Sequence, residues 1–111
     1  MQIVFESSGK TLVVKMEGEL DHHTSAEIRE RIDREIEKGA KKNLIFDFGK
    51  LTFMDSSGIG VIIGRYKQIQ NIGGKVAIAN VNPHAERIIN ISGLHKIFPI
   101  YNSTKDALQN I

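Results

Sequence analysis

The segment Asn43-Leu44-Ile45-Phe46-Asp47-Phe48 constrains this chain more than any other: it is apolar at nearly every position, with Asp47 its only charge. A strand of that kind has no polar face to turn to water, so it belongs at the centre of a sheet that is covered on both sides. Coverage on both sides calls for helices, and the flanking sequence supplies their signals. On the N-terminal side, Ile28, Ile32 and Ile36 recur every four residues. The period marks an amphipathic helix. Thr24 with Glu27 forms a capping-box pattern at its start, Glu27/Arg31 and Glu30/Arg34 are spaced to pair on its outer face, and Gly39 is placed to stop it.

The remaining elements follow from start and stop chemistry. Ile3–Glu6 and Thr11–Glu17 are rich in β-branched and other apolar residues and are separated by Ser7-Ser8-Gly9-Lys10, which predicts an opening hairpin. After Leu51-Thr52-Phe53-Met54, either Asp55 or Ser56 is placed to cap a second helix running to about Asn71, with Gly73-Gly74 as its stop. Lys75–Ala79 reads as a short strand, and Asn82-Pro83 starts a third helix that ends near Ser92-Gly93. Ile97–Tyr101 fits an edge strand because Pro99 lacks a ladder donor, and Ser103 with Asp106 begins a terminal helix. The order is ββαβαβαβα: an α/β domain with a mixed, mainly parallel sheet of four to five strands, flanked by about four helices.

At 111 residues, with 41% hydrophobic and 25% charged side chains, the sequence suits one globular domain spanning residues 1–111. It has no cysteine, which excludes disulfides, thiol nucleophiles and cysteine-held metals. The net charge of +2 is spread along the chain, and its densest cluster, Glu27–Lys42, mixes both signs. A nucleic-acid footprint would gather basic residues on one face, so no nucleic-acid partner is expected. No apolar run reaches the ~18 residues of a membrane helix, and the N-terminus lacks a basic segment leading into an apolar stretch. A cytoplasmic location without membrane association is the expectation.

Met54-Asp55-Ser56-Ser57-Gly58-Ile59-Gly60 places two hydroxyls and a carboxylate at a helix start. Unpaired N–H groups and the positive end of the helix dipole lie there, a setting that tolerates an added phosphate. Spacing alone favours the plainer reading, with Asp55 and Ser56 as caps and Ser57 as an ordinary first-turn residue. Gly60 and Gly64 share a helical face, for which tight internal packing is the expected reason. The loop Glu17–Thr24 leaves the second strand at the sheet end that also carries Asp55–Ser57, which predicts that Asp21 and Ser57 are neighbours. Asp21 is equally suited to a turn or cap hydrogen bond.

Catalytic readings fail on spacing. Gly58-Ile59-Gly60-Val61-Ile62-Ile63-Gly64 sets its third glycine one position too late for a dinucleotide fingerprint. A nucleophile elbow needs glycine two residues before the serine, where this chain has Met54 before Ser56 and Asp55 before Ser57. The adjacent His22-His23 pair does not have metal-ligand spacing, so no metal is expected.

Taken together, Gly18–Thr24, the block Phe53–Ile69 and Ser92-Gly93-Leu94 closely resemble the STAS domain family, specifically its anti-sigma factor antagonists of the sporulation type that act on a forespore sigma factor. The resemblance covers essentially the whole chain. It implies a non-enzymatic partner-switching protein: the unphosphorylated form binds an anti-sigma factor that is also a serine kinase, releases the sigma factor, and is switched off when that kinase phosphorylates Ser57. It implies that a serine phosphatase restores the active form, and that ATP is bound by the kinase, leaving this chain without a cofactor. The contact surface it implies comprises Asp21, Asp55, Ser56, Gly58, Ile59 and Gly60 around Ser57. A STAS scaffold with other partners, or a nucleotide-binding signalling module, is the alternative.

Overall fold

In the computed structural model, which covers residues 1–111, the apolar runs form five strands and four helices. The strands are β1 (Gln2–Ser8), β2 (Thr11–Leu20), β3 (Asn43–Met54), β4 (Val76–Ala79) and β5 (Ile100–Tyr101), and the helices are α1 (Ser25–Lys38), α2 (Ser56–Asn71), α3 (Pro83–Ser92) and α4 (Thr104–Asn110). The ββαβαβαβα order holds, with one 3-10 turn, Leu94–Lys96, added before β5. The five strands lie side by side in chain order; β1 and β2 pair antiparallel, and every later pair is parallel.

Alternation along the strands divides the core between two faces. Leu12, Val14 and Met16 of β2, Leu44, Phe46 and Phe48 of β3, and Val76 and Ile78 of β4 meet Ile28, Ile32 and Ile36 of α1, Val61, Ile62 and Ile69 of α2, and Ala85 and Ile89 of α3. The residues between them point the other way, where Val13, Ile45 and Ala79 pack on Ala107 of α4. This second cluster has 4 buried residues against 22 in the first, so the sheet carries its helices asymmetrically. Central β3 is covered on both faces, as its apolar run requires.

The strands that position the site run further than their apolar patterns predict. The β2–β3 pairing continues to Leu20↔Met54 through register shifts between Lys15 and Glu17 and between Gly18 and Glu19. Gly18, at φ +101°, supplies a backbone conformation that other residues rarely adopt. The polar stretches that blur the apolar pattern here are therefore strand. At the other end of the sheet, the expected Ile97–Tyr101 strand shrinks to two residues. The amides of Ile97 and Phe98 are taken by the Leu94 carbonyl of the 3-10 turn, leaving only Ile100 and Tyr101 to pair with β4.

Two local expectations for α1 are corrected. Thr24 does not form a capping box; its own backbone is already close to helical, and its hydroxyl donates to the Glu19 carbonyl at 3.2 Å. Capping passes to Asp21, whose Oδ1 accepts from the His23 and Thr24 amides at 2.9 and 3.2 Å and whose carbonyl accepts from Ser25 N at 2.8 Å. Glu27/Arg31 and Glu30/Arg34 form no ion pairs. Arg31 reaches across to β1 instead, 3.5 Å from the Ile3 carbonyl and 5.9 Å from the centre of the Phe5 ring. The helix does stop at Gly39, its C-cap, although Gly39 itself remains right-handed and Ala40 takes the left-handed turn at φ +48°.

Candidate functional site

Because β2 and β3 are paired up to Leu20 and Met54, the loops that follow them emerge side by side, and the Asp55 amide donates to the Leu20 carbonyl at 3.3 Å. Asp55 is the N-cap of α2. Its Oδ1 accepts from the amides of Ser57 at 2.9 Å and Gly58 at 3.1 Å, while its Oδ2 accepts from the His22 amide at 3.2 Å. The His22 ring lies over the same carboxylate, with Nδ1 3.8 Å from Oδ2. One carboxylate thus ties the start of α2 to the Asp21–Thr24 turn. Its partial enclosure opposes ionisation, but the three amide donors and the His22 imidazole outweigh this and hold the Asp55 carboxyl below its ordinary value.

The predicted surface residues separate by depth. Ser56 and Gly60 are exposed, and Asp21, Asp55, Ser57 and Ile59 are half-buried. Gly58 is buried; a Cβ there would collide with the Leu20 carbonyl and the Met54 side chain, so its smallness serves the packing of α2 on β2. Gly58 thus lies beneath the exposed surface formed by Ser56 and Gly60. The packing reason expected for Gly60 and Gly64 is also corrected. A Cβ at either would meet nothing within 4 Å, and the two glycines leave a bare strip along α2.

Residues absent from the sequence-based site, Arg29 and Arg65 among them, complete its surroundings. A groove of about 380 Å³ runs between α1 and α2, lined by Ser25, Ala26 and Arg29 on one side and by Ser57, Gly60 and Arg65 on the other. Arg65 closes onto α1 through Asp33, with Nε 3.0 Å from Oδ1. The signal lay in two rows spaced by four residues, Ser25-Arg29-Asp33 and Ser57-Val61-Arg65, which a motif centred on the serines does not reach. The His22 and His23 rings lie tilted to each other with centroids 3.9 Å apart, and no group of three or more potential ligands forms a metal cluster. No helix is long and apolar enough to cross a membrane.

The STAS domain family model matches residues 2–107. The chain belongs to the STAS domain family. It is 43% identical to the anti-sigma F factor antagonist of Paenibacillus polymyxa over 111 residues, all of this chain and 95% of that one. Among solved structures, unphosphorylated SpoIIAA, an anti-sigma factor antagonist, superposes with a TM-score of 0.84 at 31% identity, covering 98% of this STAS chain and 95% of its own. The phosphorylated form of Bacillus SpoIIAA superposes with a TM-score of 0.76 at 31% identity, covering 98% of each chain. The STAS fold and the ββαβαβαβα order are thus shared with antagonists whose structures exist in both phosphorylation states.

Proposed function

We propose that this STAS protein is an anti-sigma factor antagonist whose unphosphorylated form binds an anti-sigma factor serine kinase and frees a sigma factor, and whose Ser57 is the residue that the kinase modifies. The observation that carries the reading is the likeness to an anti-sigma F factor antagonist along the entire chain. The site supports it. Ser57 stands in the first turn of α2, half-buried, on a backbone pinned by Asp55, with exposed Gly60 one turn further along. A serine held in this way is presented to a partner with little conformational entropy left to lose.

In the reaction, the Ser57 oxygen forms a bond to the γ-phosphorus of ATP held by the kinase as the bond to the departing ADP breaks. The hydroxyl proton passes to a base on the kinase. The chain contributes the hydroxyl and its orientation, and the partner contributes the nucleotide and the catalysis. A serine phosphatase reverses the modification by hydrolysing the ester. The added phosphate brings roughly −1.5 to −2 charges into a surface whose small residues otherwise permit close approach, and so blocks docking.

Incubation with a serine kinase of the anti-sigma type and ATP, followed by tandem mass spectrometry, tests the assignment. A mass increase of one phosphate confined to Ser57, lost in Ser57→Ala with kinase binding kept, is the expected result. Ser57→Asp is expected to fold normally and bind poorly. Modification at another residue, or kinase affinity for Ser57→Asp equal to that of the wild type, would overturn it.

A further inference from the structure

A phosphate at a helix start is ordinarily held by free backbone amides, but here the Asp55 carboxylate already occupies the Ser57 and Gly58 amides. It also sets a negative charge beside any phosphate on Ser57. Compensation has to come from side chains, and the α1/α2 groove holds them. Arg29, Arg65 and His22 line it together with Ser57, and no carboxylate is among its lining residues. Of the carboxylates beside it, Asp33 is engaged with Arg65 and Asp55 with its amides and His22. Arg29 is exposed, and its side chain makes neither an ion pair nor a hydrogen bond, while Arg65 keeps Nη1 without a partner.

The two arginines sense each other. Burial lowers the Arg65 pKa, Asp33 opposes the shift, and the charge of Arg29 adds to the lowering. Two guanidinium groups with one carboxylate between them leave a net positive charge in the groove. Gly60, without a side chain, keeps the space beside Ser57 open, and a groove of about 380 Å³ has room for a phosphate with its waters.

We infer that this groove is an internal receptor for the phosphate esterified on Ser57, with Arg29 as its principal cation and Arg65 and His22 flanking it. The inference rests on the reading of Ser57 as the phosphoacceptor. It adds that the off state fills the groove and satisfies its charge, so that the phosphoprotein is shaped by Arg29 as well as by the phosphate. Aspartate at position 57 carries one charge on a shorter arm and occupies the groove less completely than phosphoserine.

The test installs phosphoserine at position 57 during translation of the full chain, so that no kinase is involved, and follows the phosphate by phosphorus NMR through its second ionisation. Pairing with Arg29 favours the doubly charged form. The expected result is a phosphate pKa lower in the wild-type background than in Arg29→Gln by about 0.5 or more, with Arg29→Lys restoring most of the difference. Because Arg29 has no partners in the unmodified protein, neither substitution disturbs the fold, which amide spectra of the unphosphorylated variants check. Identical titration in the wild-type and Arg29→Gln backgrounds would overturn the inference. Failure of a kinase to modify Ser57 would overturn the proposed switch instead, and would leave this titration unaffected.

Discussion

At the scale of single residues, Asp55 does the work that the sequence distributes between two candidates. Asp55 and Ser56 were equivalent caps by spacing; the structure selects Asp55, because the β2–β3 pairing brings His22 within reach of its second oxygen. That contact joins residues 33 apart in the chain and has no sequence signature. Its consequence is a pH dependence with a definite sign. The folded-state pKa of Asp55 lies below its ordinary value of 3.8, so the carboxylate's contribution to stability is fully present above that value and is lost as pH falls through the folded one. Urea unfolding of the wild type and Asp55→Asn, compared at about pH 6 and about pH 3, is expected to show a wild-type advantage that narrows on acidification. A gap that is constant with pH would assign the role of Asp55 to shape alone.

At the scale of elements, helix ends were less legible than helix bodies. The Ile28, Ile32 and Ile36 stripe is buried as its period requires, because burial of an apolar face is decided by spacing alone. The C-terminus of α1 is decided by the path the chain takes to β3. The Ala40 amide donates to the Glu37 carbonyl and the Lys41 amide to the Ile36 carbonyl, the paired bonds of a helix stop whose left-handed position favours glycine. The glycine sits one residue too early, and Ala40 bears the strain at φ +48°. Ala40→Gly is therefore expected to raise stability by about 0.5–1 kcal/mol, since relief of the left-handed alanine exceeds the entropy lost with glycine. A lower urea midpoint for the variant would contradict this account. The end of α2 shows the ordinary solution, with Gly73 at φ +78° in the equivalent place.

At the scale of the whole molecule, the fold class was legible because a doubly covered strand flanked by helical periods admits few arrangements, and the parallel sheet with one antiparallel edge is among them. The unequal thickness of the two faces was not legible, since a buried strand residue looks the same beneath three helices as beneath one. Nor was the basic groove, which exists only where α1 and α2 run alongside each other. The asymmetry predicts a hierarchy of opening. The two-residue β5 and the seven-residue α4 rest on the smaller core, Val13, Ile45, Ala79 and Ala107, and are expected to exchange their amide protons through local opening. Protons of β2 and β3, set into the larger core, are expected to exchange only with global unfolding. Native-state hydrogen exchange checks this order, and equal protection in α4 and β3 would refute it.

The triple engagement of Asp55 bears on timing. A helix start whose amides are already committed to Asp55 has no backbone hydrogen bonds to exchange when a phosphate arrives or departs, and leaves the response to the side chains of the groove. In the proposed role, therefore, the signal has no mechanical memory: it persists for as long as the ester survives, and the clock belongs to the enzymes that write and erase it.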